Sequence, residues 1–364
     1  MLVDAILREL ESLAPPVYQE SYDNAGLLTG NRSWDCTGIL CSLDCTEAIV
    51  QEAISKNCNL IVAHHPIVFR GLKKINGSNY VERTVIAAIK NDIAIYAIHT
   101  NLDNVMHGVN GRIADQFGLQ ERAILSPKQG IIYKLFTYAP ASHAREIRET
   151  LFAAGAGKIG LYEECSFSTA GTGTFKPMQG SNPFVGETGK REHADEIKIE
   201  VIFPYYLQSK ILKALFAAHP YETVAYEVIK LENQNQETGS GMIGRLPQTM
   251  EETSFLALVK QAFGVGVIRH TAMLHKPVRT VALCGGAGSF LIKSAIAAGA
   301  DAYITADVKY HEFFDADGKL LLADIGHYES EQFTIRLLAE FLQEKFPTFA
   351  VLKTGVNTNP VVYT

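Results

Sequence analysis

Short apolar runs separated by segments of helical periodicity set the grammar of this chain. Gly38–Leu43, Leu60–Ala63 and Ile93–Ile98 read as strands. Between them, Thr46–Asn57 (with Thr46 as a plausible N-cap), Tyr80–Lys90 and Val109–Phe117 place apolar residues on one helical face. Met1–Leu10 mixes charged and apolar residues at helical spacing. Uniformly apolar strands alternating with helices predict a sheet covered on both faces, hence a layered α/β structure.

The last third repeats the pattern. Val278–Cys284 predicts a strand, Gly285–Ser289 a tight turn and Phe290–Ala298 a helix. Asp301–Thr305 predicts a strand running into Asp307, with a short helix through His311. Leu320–Ile325 then predicts a strand that delivers His327, Tyr328–Lys345 one long helix, and Phe349–Lys353 a strand closing the sheet.

The middle differs. Ile131–Tyr138, Glu196–Phe203 and Thr223–Ile229 predict strands, with helices over Ala144–Gly155 and Leu207–Ala218. Two β-α-β units in series predict a ferredoxin-like α+β insert. Ser166–Gly189, rich in Gly, Thr, Ser and Pro, reads as a loop, and polar Asn233–Gly241 as the exit linker. The expected organisation is an α/β core with a mixed sheet, its halves at 1–127 and 237–364, interrupted by an insert at 128–236. The two halves must then join to complete any shared site.

With 364 residues, the chain exceeds one ordinary core and predicts two or three domains. No apolar stretch approaches the roughly 20 residues that cross a bilayer, and the N-terminus lacks the pattern of a signal peptide. Cys36, Cys41, Cys45, Cys58, Cys165 and Cys284 form no CxxC pair and read as reduced, mostly buried thiols. A cytoplasmic protein is expected. A net charge of −6 argues against a nucleic-acid backbone as partner. Lys73-Lys74, near Arg70, reads as a solvated loop, although a small phosphorylated substrate could use those charges.

Nitrogen and oxygen donors gather at the predicted strand ends, where α/β folds place ligands. His64-His65-Pro66 ends one strand and His99-Thr-Asn-Leu-Asp103 another; His327 and Glu331, four apart, open a helix on one face. In an extended segment His64 and His65 point apart, so they address two ions unless a bend before Pro66 re-aims one. His64, His65, His327, Asp103 and Glu331 give three nitrogens and two carboxylates. That set suits a pair of Zn²⁺, Mn²⁺ or Fe²⁺ ions, with open positions for a nucleophilic hydroxide. The other histidines at 107, 143, 193, 219, 270 and 275 read as ordinary surface or core residues.

Asp307 and His311, again four apart, read as a proton-transfer or ligand-orienting pair, with helix capping by Asp307 as the bland alternative. Gly285–Ser289 lacks the lysine of a phosphate-binding loop and reads as a tight strand-helix turn. Tyr328 and Ser330 flank the candidate ligands and would shape a pocket.

These motifs, together with Thr305–His311 and Gly326–Glu331, resemble the Nif-three-like family, also called dinuclear metal centre proteins or type 2 GTP cyclohydrolase I homologues. Ser21–Leu27 is similar to that family's aromatic-Asp-Asn-x-Gly-Leu segment, with tyrosine where tryptophan is frequent, and makes Tyr22, Asp23 and Asn24 candidate substrate contacts. The resemblance spans nearly the whole chain. It implies His64, Asp103 and Glu331 on one ion, with His65, His327 and the same Glu331 on the other. It also implies a PII/CutA-like insert, covering Gly171–Pro177 and Gly180–Gly186, and a ring-shaped homohexamer. The reaction it implies is metal-dependent hydrolytic opening of the GTP imidazole ring with release of formate. A small-molecule substrate, with a nucleotide as the specific case, is therefore the leading expectation. The alternative is a non-enzymatic metal-binding adaptor whose insert meets a protein partner.

Overall fold

Leu60–Ala63 is the central strand of a five-stranded sheet in a computed structural model that describes all 364 residues. The order is Gly26–Thr29, Ala94–Ala97, Leu60–Ala63, Ile39–Ser42, Val351–Lys353. Every residue of the three middle strands is buried, and they pair in parallel, as uniformly apolar strands covered on both faces should. Gly26–Thr29 pairs antiparallel at one edge, so the sheet is mixed. Helices Glu47–Ser55 and Tyr80–Lys90 bury Ile49, Val50, Ala53, Val85 and Ala88. Thr46 is the N-cap residue of the first helix, but its side chain makes no capping bond. Asn79 caps the second by accepting from the Glu82 amide.

A second mixed sheet has the order Arg269–His270, Leu321–Asp324, Ala302–Ala306, Pro277–Ala287, Gln234–Glu251, Gln120–Gln129. The strands 277–287, 302–306 and 321–324 run parallel, and their neighbours 269–270 and 242–251 antiparallel. The two sheets belong to one compact unit, Met1–Pro127 with Glu237–Thr364.

Three expectations are corrected here. The last strand, Val351–Lys353, leaves its own third of the chain and pairs with Ile39–Ser42, so two sheets form instead of one. Leu352 packs on the cluster built around Leu40, Ile49 and Ile61. The long helix breaks at Gln332-Phe333 into His327–Glu331 and Thr334–Lys345. The polar stretch Asn233–Gly241 is mostly strand, not linker. At Gly239 a Cβ would lie 2.2 Å from the Ser126 carbonyl oxygen, an approach only glycine permits.

Lys128–Gln236 is the other compact unit. Its sheet order is Phe167–Phe175, Glu192–Pro204, Ile132–Pro140, Tyr226–Leu231. All pairs are antiparallel, with the first and third strands in chain order at the centre. With helices Ala144–Ala153 and Gln208–Ala218 this is a ferredoxin-like fold. Leu135, Ile147, Leu151, Ile199, Phe203, Ile211 and Leu215 make its own core. Part of the glycine-rich stretch expected as loop, Phe167–Phe175, is its edge strand; an edge needs little side-chain packing. No helix of the protein is long and apolar enough to cross a membrane.

Candidate metal centre

The strand Leu60–Ala63 ends in a bend at His64 and His65, whose amides still donate to the carbonyls of Ser42 and Leu43. The bend re-aims the neighbouring rings, leaving their centroids 4.9 Å apart. Both rings approach the carboxylate of Glu331, His65 Nε2 at 2.9 Å from Oε2 and His64 Nε2 at 3.8 Å from Oε1. His327, one helical turn before Glu331, brings Nε2 to 3.1 Å from Oε2 and 3.3 Å from His65 Nε2. Asp103, from the short helix Thr100–Asp103, lies with Oδ1 3.6 Å from His64 Nε2. The five residues singled out as ligands thus form one cluster, drawn from both halves of the core unit.

Each ring is held from behind. His64 Nδ1 is 2.8 Å from the Ile98 carbonyl oxygen, and His65 Nδ1 is 2.8 Å from Asp44 Oδ1. His327 Nδ1 is 2.7 Å from Asp307 Oδ2, and His99 Nδ1 2.7 Å from Asp23 Oδ1. Oxygen acceptors at Nδ1 keep the proton there and leave the Nε2 lone pair facing inward, the form that ligates metal. Two of the inward atoms, His64 Nε2 and Asp103 Oδ1, are buried without any hydrogen-bond partner. A buried acceptor left unmade costs about 1–3 kcal/mol, so a native orphan requires an explanation. A divalent cation supplies one, and the donor set fits it. Three groups of candidate ligands overlap here: His64, His65 and His99; His65, His327 and Glu331; His64, Asp103 and Glu331.

The charges are strongly coupled. Burial alone would raise Glu331, but the charge of His327 and hydrogen bonds from His327 and His65 hold it well below the usual carboxylate range. Burial, then the neighbouring Glu331, push Asp103 up to about 7. Burial opposes the charged form of His65, yet Asp44 and Glu331 raise it to about 9. Burial likewise opposes His327, which Glu331 and Asp307 raise to about 11. Burial would raise Asp23, but hydrogen bonds and charge from His99 and bonds from Thr100 lower it to about 2. Two buried carboxylates side by side, Asp103 and Glu331, make the field a cation would neutralise.

The remaining candidates divide. Asp307 pairs with His327, while His311 is exposed with its ring against Tyr310; the expected Asp307–His311 pair does not form. Asp307 adopts φ 55°, outside the helix that follows, which turns it back toward His327. Asp23 holds His99 and accepts from the Thr100 amide. Asn24 donates to the Val68 carbonyl. Tyr22 is exposed on the wall of a cavity of about 1150 Å³ floored by His65, Asp103 and Glu331. Tyr328 lines a second cavity of about 480 Å³ on the far side of His65 and His327. Ser330 is buried: its hydroxyl donates to the His327 carbonyl and accepts from the Gly286 amide, so it braces the backbone there and lines neither of these cavities.

That brace gives Gly285–Ser289 its meaning; expected as a tight turn, its first three residues instead end the strand Pro277–Ala287, with a shift of register after Leu283. At Gly286 (φ 62°) a Cβ would lie 2.4 Å from Glu331 Oε1 and 3.3 Å from His327 Cε1. The glycine lets backbone approach the ligand carboxylate. Asn110 ties the halves, donating to the Asp103 carbonyl and accepting from the Gly285 amide. Sequence reasoning named His99 within its motif without giving it a role, and missed Asp44. Each follows a buried apolar strand at the same end as His64, which was the available signal.

A family model described as Duf34/NIF3 (NGG1p interacting factor 3) matches residues 1–360. A Halalkalibacterium halodurans protein named "GTP cyclohydrolase 1 type 2 homolog" is 38% identical over 364 residues, covering 98% of each chain. A Bacillus subtilis protein of the same name is 35% identical, covering 98% of this chain and 97% of its own. Among solved structures, a Bacillus cereus protein related to NIF3 aligns with a TM-score of 0.88 at 38% identity, covering 100% of this chain and 99% of its own.

Proposed function

The chain belongs to the Duf34/NIF3 family, and on that premise we propose that it is a metal-dependent hydrolase holding two divalent ions per chain. His64, Asp103 and Glu331 would hold one ion; His65, His327 and Glu331 would hold the second. Zn²⁺ suits the imidazole-carboxylate donors, with Mn²⁺ and Fe²⁺ as alternatives. The observation that carries this reading is the buried pair His64 Nε2 and Asp103 Oδ1, which have no partner within the protein.

Ions bound there supply Lewis acidity and lower the pKa of water toward neutrality. The protein's own groups do the rest. Asp44, Asp307 and Asp23 fix three imidazole tautomers, and the Ile98 carbonyl fixes the fourth. The large cavity receives a small molecule against the cluster. The shared name of the curated relatives makes hydrolytic opening of the GTP imidazole ring the first reaction to test. Protein loaded with Zn²⁺, Mn²⁺ or Fe²⁺ is incubated anaerobically with GTP; release of formate that vanishes in His65→Ala supports the reading. Intact GTP with all three metals removes it, and fewer than two ions per chain by elemental analysis removes the dinuclear centre.

A metal-binding adaptor is the second reading. It draws on the separate core of Lys128–Gln236 and on Leu161, Tyr162 and Phe167 exposed on that unit. In either case a homo-oligomer, with a hexamer as the specific expectation, is tested by the mass of the protein in solution. Loss of a cellular phenotype on deleting residues 128–236, but not in His65→Ala, would favour the adaptor.

A further inference from the structure

Four large aromatic side chains stand exposed around the mouth of the 1150 Å³ cavity: Tyr22 (63%), Phe69 (43%), Tyr80 (60%) and Phe290 (65%). Clustered aromatic exposure beside a polar site is unfavourable unless a ligand covers it. Tyr22 and Phe69 come from segments far apart in sequence, yet their ring centroids lie 6.3 Å apart at 50°. A small rotation toward parallel and a slight opening would admit one flat ring between them. Phe69 in turn meets the edge of His99 at 6.2 Å, and His99 lies 5.4 Å from His65. The two aromatics are therefore only a ring or two from the ligand cluster.

Charge narrows the occupant further. Arg70, exposed and next to Phe69, is the only Lys or Arg among the residues lining this cavity, whereas Glu20, Asp44, Asp103 and Glu331 all line it. A cation at the rim, away from the acidic floor, suits an anionic group on the solvent side of a bound ring.

We infer that Tyr22 and Phe69 clamp a planar conjugated ring, and that Arg70 binds an anionic substituent of the same molecule. The substrate class is thus a heteroaromatic ring carrying phosphate, oriented with the ring toward the ligand cluster. This rests on the reading of that cluster as the metal site of an enzyme for small molecules. None of the three side chains is a proposed metal ligand.

Titration calorimetry on the zinc-loaded full-length protein tests it, with GTP, guanosine and sodium tripolyphosphate as probes. Phe69→Leu and Tyr22→Leu should each weaken GTP and guanosine about tenfold, the usual loss for a base-aromatic stack, and leave tripolyphosphate unchanged. Arg70→Gln should weaken GTP and tripolyphosphate roughly threefold, as an exposed charge contact does, without affecting guanosine. Zinc content equal to wild type in all three variants shows that the cluster is intact. Tripolyphosphate binding as tightly as GTP, wild-type affinity for GTP in both aromatic variants, or no binding of GTP at all overturns the clamp. Ring-dependent binding without formate release keeps the clamp and removes only the hydrolase reading.

Discussion

His64 Nε2 and Asp103 Oδ1 face each other across 3.6 Å, both buried and neither hydrogen-bonded to anything in the protein. An imidazole lone pair and a carboxylate oxygen repel when nothing lies between them, and both were removed from water to reach this position. A cation between them resolves the conflict.

The first prediction follows from the direction of the pKa shifts. Asp103, His65 and His327 all have folded values above their ordinary ones, at about 7, 9 and 11. A raised value means stability that is full below the ordinary pKa and is lost as pH rises through the folded one. Metal-free protein should therefore weaken progressively from about pH 4 upward through alkaline pH. Glu331, held low, acts oppositely, but only below its ordinary value of 4.5. Metal binding displaces these protons, so the gap in Tm between zinc-loaded and chelator-treated protein should widen from pH 6 to pH 9. A gap that stays constant over that range contradicts the protonation scheme.

A second prediction concerns the C-terminal segment. Thr358 Oγ1 donates to Asp44 Oδ2 at 2.6 Å, and the other oxygen of Asp44 holds His65. Asn359 donates to Glu329, between His327 and Glu331. Asp44→Asn should lower zinc affinity by about 10–100-fold, the range expected when a group orienting a ligand is lost. Thr358→Val should act in the same direction but more weakly. Competition with a zinc-binding dye measures both, and wild-type affinity in Asp44→Asn would show that His65 needs no orientation from behind.

Gly286→Ala provides a third. The new methyl group meets Glu331 Oε1, and the backbone has a left-handed φ of 62°. Strain of about 1–3 kcal/mol is expected. The protein should remain folded by circular dichroism, with a lower Tm and reduced metal content. Full metal occupancy in this variant would mean that the loop does not constrain the glutamate.

A fourth prediction tests independence. The residues 128–236 enclose a core of their own, including Leu135, Ile147, Phe203 and Ile211. Expressed alone, this segment should unfold cooperatively in urea. The remaining core, rejoined between Pro127 and Glu237, should keep the zinc content of the full chain. A core that loses its metal on deletion would show that the insert supports the centre.

Much of the fold was legible in the pattern of apolar positions. Leu60–Ala63, Ala302–Ala306 and Leu321–Asp324 are buried strands because most of their residues are apolar, and the run of apolar positions reveals that locally. Histidine and carboxylate at strand ends, and the four-residue step from His327 to Glu331, were likewise visible without coordinates. Pairing partners were not. Val351–Lys353 is three residues long and nothing in it specifies the Ile39–Ser42 edge, which is chosen by packing of residues far away in sequence. The polar strand Gln234–Glu251 was hidden because pairing through the backbone needs no apolar side chains.

The candidate site divides along the same line. By itself the sequence determined which residue types are available as donors and that they end strands, since both are properties of short segments. Only the tertiary structure decided that the bend at His64 and His65 turns both rings onto Glu331. It also decided that Asp307 serves His327 rather than His311, and that Asp44 and Asp23 fix two tautomers. Those are distances between segments up to 266 residues apart, set by how two sheets meet; a linear pattern carries no information about them.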